Sequence, residues 1–215
     1  MPGAAATDGA PEAALMSGAA LKPGAGVTPD AEAKNVPRDT ASTEVPSDAA
    51  LLATIMRHLA AVRQSHAVFV EEKTLAALRT PLQSSGRLAY HRPDRLEKIT
   101  DWPQPEVLAV QAGRLSLTAD GATRSFELAA EPVIGALVEA ILGTLAGDLA
   151  GLRRWYHVTA TGTQAAWRLA LRPRTAALAK FIRGATITGS GGQLTRLRTV
   201  AANGDISVMT IRPAA

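Results

Sequence analysis

Four histidines, at positions 58, 66, 91 and 157, are the first residues to test for chemistry, because imidazoles at suitable spacing bind zinc or relay protons. They fall on a helix face, a strand start, a turn and a strand, without metal-ligand spacing or a paired acid, so no metal is expected. Glu71 and Glu72 are neighbouring carboxylates, but adjacent strand residues face opposite sides and cannot form an acid/base dyad. The run GSGG at 189–192 sits between strands, with neither the helix start nor the Lys of a phosphate-binding loop. Ser84 and Ser85 lack the tight strand-to-helix elbow of a hydrolase nucleophile. With no Cys, disulfides, thiolate metal sites and a Cys nucleophile are excluded, and either redox compartment is compatible. The chain reads as a non-enzyme without a cofactor.

The elements around these residues divide at about position 47. Residues 1–47 have no aromatic residue and are crowded with Ala, Gly, Pro, Thr and Asp, a composition expected to stay disordered. Residues 48–215 are expected to form one domain. The first segment holds three Lys or Arg against six Asp or Glu, which leaves 20 against 13 for the rest, an excess of +7 carried mostly by Arg. Anionic headgroups and acidic proteins suit such a surface. Nucleic acid is not expected, because the basic residues are scattered and no aromatic platforms interleave with them. The opening stretch shows no basic start followed by an apolar run, so no secretory signal is visible in this numbering.

Periodicity then gives the order of elements. Ser47 is a good N-cap for a helix to about Gln64, with Leu52, Ile55, Met56, Leu59 and Val62 at helical spacing. From His66 the period becomes two, predicting a long strand to Pro81, then two strands across SSGRLAYHRPDRLEKIT that turn at Arg92 and Pro93. EVLAV, RLSLTA and ATRSFELA follow, joined by turns at 111–113 and at Asp120-Gly121. The meander is interrupted by EPVIGALVEAILGTLAGDLAGLRRW, where Pro132 opens an apolar helix too short for the roughly 20 residues that span a bilayer. WYHVTAT, AAWRLALRP, a short helix TAALAKFIR, GATITGS, QLTRLRTVA and DISVMTIRP complete the chain.

About eleven antiparallel strands with few helices predict a mainly β fold with helices (α+β), in which one strongly curved sheet forms an unclosed barrel. Only eight residues are aromatic, so Leu, Val, Ile and Ala must fill the interior, which leaves room for a flexible apolar guest. The expected cavity walls are Phe69, Leu88, Tyr90, Trp167 and Leu169. The helix from Pro132, with Ile134, Leu137, Val138, Ile141 and Leu142, is the expected lid.

This order of elements resembles the LolA-type fold of periplasmic lipoprotein carriers. Local strings carry the resemblance as well: LAAVRQSHAVFVEEK, SSGRLAYHRPDRLEK with its Arg-Pro turn, QPEVLAV, and WRLALRPRTAALAKFI. The resemblance implies a periplasmic carrier, expected to be monomeric, whose cavity shelters acyl chains of a lipoprotein or lipid crossing between membranes. It implies an inner-membrane transporter as donor and an outer-membrane acceptor. By motif position it also makes Arg92 the latch that holds the lid. RLEKIT and RLSLTA lack the aromatics of the family's strands, so the chain looks divergent. That leaves a free fatty acid, a glycolipid or an acylated pigment precursor as alternative cargoes. An envelope sensor or scaffold of similar fold, binding a protein partner through its basic face, is the alternative function.

Overall fold

The computed structural model describes residues 48–214; the segment 1–47, and with it the expected N-cap Ser47, lies outside the described residues. Helix α1, Asp48–Ala61, buries Leu51, Leu52, Ile55, Met56 and Leu59, the stripe its period predicts. It ends earlier than expected because Gln64 already pairs with His91 as the first rung of the sheet.

Strand β1, Gln64–Thr74, alternates, with Phe69 and Glu71 buried inward and Val68, Val70 and Glu72 exposed outward. The strand stops at Thr74 rather than reaching Pro81. In LAALRT the apolar alternation fails, and Leu78 N–H closes a turn on the Leu75 carbonyl. Strands β2 (Leu82–His91), β3 (Arg95–Trp102), β4 (Glu106–Gln111), β5 (Arg114–Ala119) and β6 (Ala122–Glu127) form the meander. Its last two hairpins turn on Ala112-Gly113 and Asp120-Gly121, each with both residues at positive φ, the geometry that matches strand twist. Gly86 marks an irregularity between β2 and β3, and a Cβ there would lie 1.9 Å from the Ile99 carbonyl oxygen. Only glycine lets the two backbones approach so closely.

Helix α2, Pro132–Ala146, has Pro at its start and stops at Gly147, which adopts φ 68°. A side chain at Gly147 would also strike the Met56 carbonyl, so this glycine sets the approach of α2 to α1. Helix α3, Leu149–Trp155, is capped by Asp148, which accepts from Gly151 N–H. Then come β7 (Tyr156–Thr163), β8 (Ala166–Pro173), α4 (Ala176–Ala179), β9 (Ile182–Ser190), β10 (Gln193–Ala201) and β11 (Ile206–Pro213). Helix α4 is a single turn, shorter than TAALAKFIR suggests, because Ile182 is buried as the first residue of β9. No described helix is long and apolar enough to cross a membrane.

All eleven strands make one antiparallel sheet in the order β6-β5-β4-β3-β2-β1-β11-β10-β9-β8-β7. β6 and β7 are its edges, so the sheet is not closed. Two apolar clusters occupy its concave face. One gathers α1, Ala136, Leu137 and Ala140 of α2, Leu152 of α3, and β7–β9 residues including Trp167, Leu169 and Ile187. The other gathers Tyr90, Leu96, Val110 and Leu115 with Ile134 and Val138 of α2. Helix α2 belongs to both, as its broad apolar stripe requires.

Candidate ligand cavity

Sheet register sets the inward rows from which the cavity is built. Ala67 faces Leu88, which faces Lys98, which faces Leu108 across β1 to β4. On the other side Ile187, Leu197 and Met209 lead by the same register to Glu71. Between the two packed clusters these rows leave a cavity of about 420 Å³. Its walls include Leu88, Tyr90, Leu96 and Leu108 on one side and Leu194, Leu197, Met209 and Ile211 on the other, and Ile141 and Leu145 of α2 also line it. The volume lies within the roughly 300–1,000 Å³ of small-molecule sites.

One part of this wall is ionic. Glu71 is 5 % exposed. Its carboxylate accepts from Ser207 Oγ at 2.6 Å and from Lys98 Nζ at 2.6 Å, with Ser84 Oγ at 3.5 Å and Lys73 Nζ at 3.8 Å. Lys98 also stands 5.0 Å above the Phe69 ring. Burial pushes the Glu71 carboxyl up, but the charges of Lys98 and Lys73 and the bonds from Lys98 and Ser207 outweigh it and hold the group below its ordinary value. Burial pushes Lys73 down; Glu71 and Glu106 pull it back up only partly, and Lys98 adds to the lowering. Glu71, Lys98, Glu106 and Ser207 all line the cavity.

Tyr90 is 2 % exposed and lines the cavity too, and its hydroxyl has no hydrogen-bond partner among the described residues. Burial raises its pKa, Arg92 acts against that, and Asp94 adds to it. Arg92 itself donates through Nη1 to the Ala60 carbonyl in the last turn of α1, and its backbone N–H bonds Arg63 O at 2.9 Å. The contact fixes the 91–95 turn to the end of α1. Both of these hydrogen bonds run to the end of α1.

Of the apolar residues expected at the site, Leu88, Tyr90 and Ile141 line the cavity. Phe69 lies beneath Lys98, buried in the same sheet face. Ile134 and Val138 pack into the Tyr90 cluster with Leu142 against it, and Leu137, Trp167 and Leu169 lie in the cluster under α1. Trp167 is held by its own bond from Nε1 to the Gly191 carbonyl, at 2.9 Å. Sequence reading missed Lys98, Lys73 and Ser207 and passed over Glu71. A charged residue at an inward position of an alternating strand was the available signal. His66 and His91 meet edge to face with ring centroids 5.8 Å apart, and His58 Nδ1 lies 2.9 Å from the Thr54 carbonyl.

Among curated proteins no sequence matches. Solved structures give matches of low identity. A LolA superfamily protein from Nitrosomonas europaea is 11 % identical, with 75 % of this chain and 91 % of that one covered and a TM-score of 0.40. The lipoprotein LppX from Mycobacterium tuberculosis is 14 % identical over 77 % of this chain and 95 % of that one, with a TM-score of 0.43. The MucA/MucB complex of Pseudomonas aeruginosa gives 14 % identity over 74 % of this chain and 55 % of that one, with a TM-score of 0.40. The family model for outer membrane lipoprotein carrier protein LolA-like chains matches residues 41–215, which include every described residue, and this chain belongs to that family.

Proposed function

We propose that the chain is a non-enzymatic carrier that shelters an acyl chain in the cavity between its two apolar clusters, for transfer across the envelope between inner and outer membrane. The observation that carries this reading is an apolar space of about 420 Å³ walled by Leu, Ile and Met side chains in a member of the LolA-like family. The energetics are adequate: at about 0.8 kcal/mol per buried methylene, a dozen methylenes gain roughly 10 kcal/mol before ordering and association losses. Arg92 serves as a latch in this reading by tying the turn after β2 to the end of α1, beside the cavity-lining residues Val62 and Gln64.

Titration of delipidated protein with a fluorescent fatty acid or an acylated peptide tests the proposal. Saturable uptake of one chain per molecule is expected, and no uptake of either probe overturns it. Arg92→Leu should shorten retention of the bound chain while leaving the melting temperature close to that of the parent. Unchanged retention would remove Arg92 from the mechanism.

The outward sheet face favours a second reading, a scaffold or sensor that binds an acidic protein. Register places Arg168, Thr188, Arg196 and Thr210 in one outward row across β8 to β11. Arg172 and Arg212 add exposed charge to the same face. Salt-sensitive capture of an acidic partner by protein that carries no lipid would support it over the carrier reading.

A further inference from the structure

We infer that the cavity recognises a headgroup as well as a chain: Lys98, held by Glu71, is a binding site for the single anionic group, carboxylate or phosphate, of a one-chain amphiphile. The inference rests on the acyl-carrier reading and names its ligand class.

A purely apolar guest needs no ions in the wall. Burying an ion pair is costly, and replacing such a pair by apolar residues is often neutral or stabilising. Here an ionic cluster is nevertheless built into the side of an apolar cavity, with Glu71 and Lys98 both exposed to its interior. The arrangement contains a cation that can be lent. Glu71 has its Oε1 held by Ser207 and near Lys73, while Oε2 is held by Lys98. When Lys98 turns one of its three N–H donors to a ligand, the Glu71 carboxylate keeps Ser207 and Lys73 and is not left bare. Lys73 does not line the cavity, so Lys98 is the ammonium a ligand meets. The low polarity around it strengthens a charge-assisted bond.

Glu106 lines the same cavity and faces Thr100 and Ala119 across its neighbouring strands. Its carboxylate opposes an incoming anion, so it sets an upper limit on affinity and should be the residue whose neutralisation helps. Size restricts the chain. Allowing each methylene about the 30 Å³ of a water molecule, 420 Å³ holds about 14, room for one chain of ordinary fatty-acid length.

The test compares four probes of equal chain length, dodecanoic acid, dodecyl phosphate, dodecanol and dodecyltrimethylammonium, by displacement of a fluorescent fatty acid from the delipidated full chain. The acid and the phosphate are expected to bind about tenfold or more tighter than the alcohol, with the cationic amphiphile weakest. Whichever of the two anions binds tighter identifies the headgroup. Lys98→Met should erase the preference for anions while dodecanol binds as before, Lys98→Arg should keep it, and Glu106→Gln should tighten both anions severalfold. Should Lys98→Met fail to fold, the double variant Glu71→Gln with Lys98→Met removes both charges together and gives the same readout. Equal affinity of the parent for acid and alcohol, or an anion preference that survives the loss of Lys98, overturns the inference. Failure of all four probes to bind refutes the carrier reading instead.

Discussion

Glu71 and Glu72 are chemically identical neighbours that the pleat sends to opposite sides, one into the cavity wall and one to solvent. That separation is readable from alternation. What is not readable is Glu71's set of partners, because Lys98 and Ser207 lie 27 and 136 positions away along the chain. Strand register alone brings them together, and no local pattern encodes it. The pairing has a pH consequence. In the unfolded chain the carboxyl titrates near the ordinary value of about 4.3, whereas in the fold it titrates lower. Its contribution to stability is therefore present in full above the ordinary value and is lost as pH falls through the lowered one. Glu71→Gln should cost about 3 kcal/mol near neutral pH, the cost of breaking one side of a buried pair. Chemical denaturation across a pH series should show that gap closing on acidification. A gap that is constant with pH would mean the carboxylate's charge contributes nothing.

Helix α2 is the element on which cavity and core compete. Its apolar stripe was legible and predicts a lid, but the stripe cannot say how its residues divide. The structure gives Ala136, Leu137 and Ala140 to one cluster and Ile134 and Val138 to the other, and turns Ile141 and Leu145 toward the open space. The division follows the helix's position between the two wings of the sheet, which the sequence does not record. Trp167 and Leu169 illustrate the same limit, since alternation marks them inward without telling whether they meet a helix or a void. If the space under the second half of α2 is the binding volume, filling it should abolish uptake without weakening the fold. Leu145→Trp adds a large side chain at a half-buried position facing that space, so overpacking strain should be small. Fatty-acid uptake should fall about tenfold or more, while the melting temperature holds or rises. A lowered melting temperature with uptake intact would place the bound chain elsewhere.

At the scale of the whole molecule, β1 joins the two halves of the sheet, pairing with β2 on one side and β11 on the other. The meander and the two-residue turns made the strands legible, but the β1–β11 seam closes only when the end of the chain returns to its beginning. That seam carries the Glu71–Ser207 bond on the inside and pairs exposed Val70 with Thr210 on the outside. The concave face thus lines the cavity while the convex face presents cations, and the strand pleat keeps the two sets of side chains apart. Their independence can be tested. Reversing charge in the double variant Arg168→Glu with Arg196→Glu should leave fatty-acid affinity within about twofold, because outward substitutions do not touch the cavity wall. The same variant should lose most of its association with vesicles rich in anionic lipid, and the parent's association should weaken steeply with added salt as surface charge is screened. Salt-independent association would show that the basic face does not drive it, whereas a loss of fatty-acid binding in the charge-reversed protein would show that the two faces do not act separately and that the basic face takes part in loading the acyl chain.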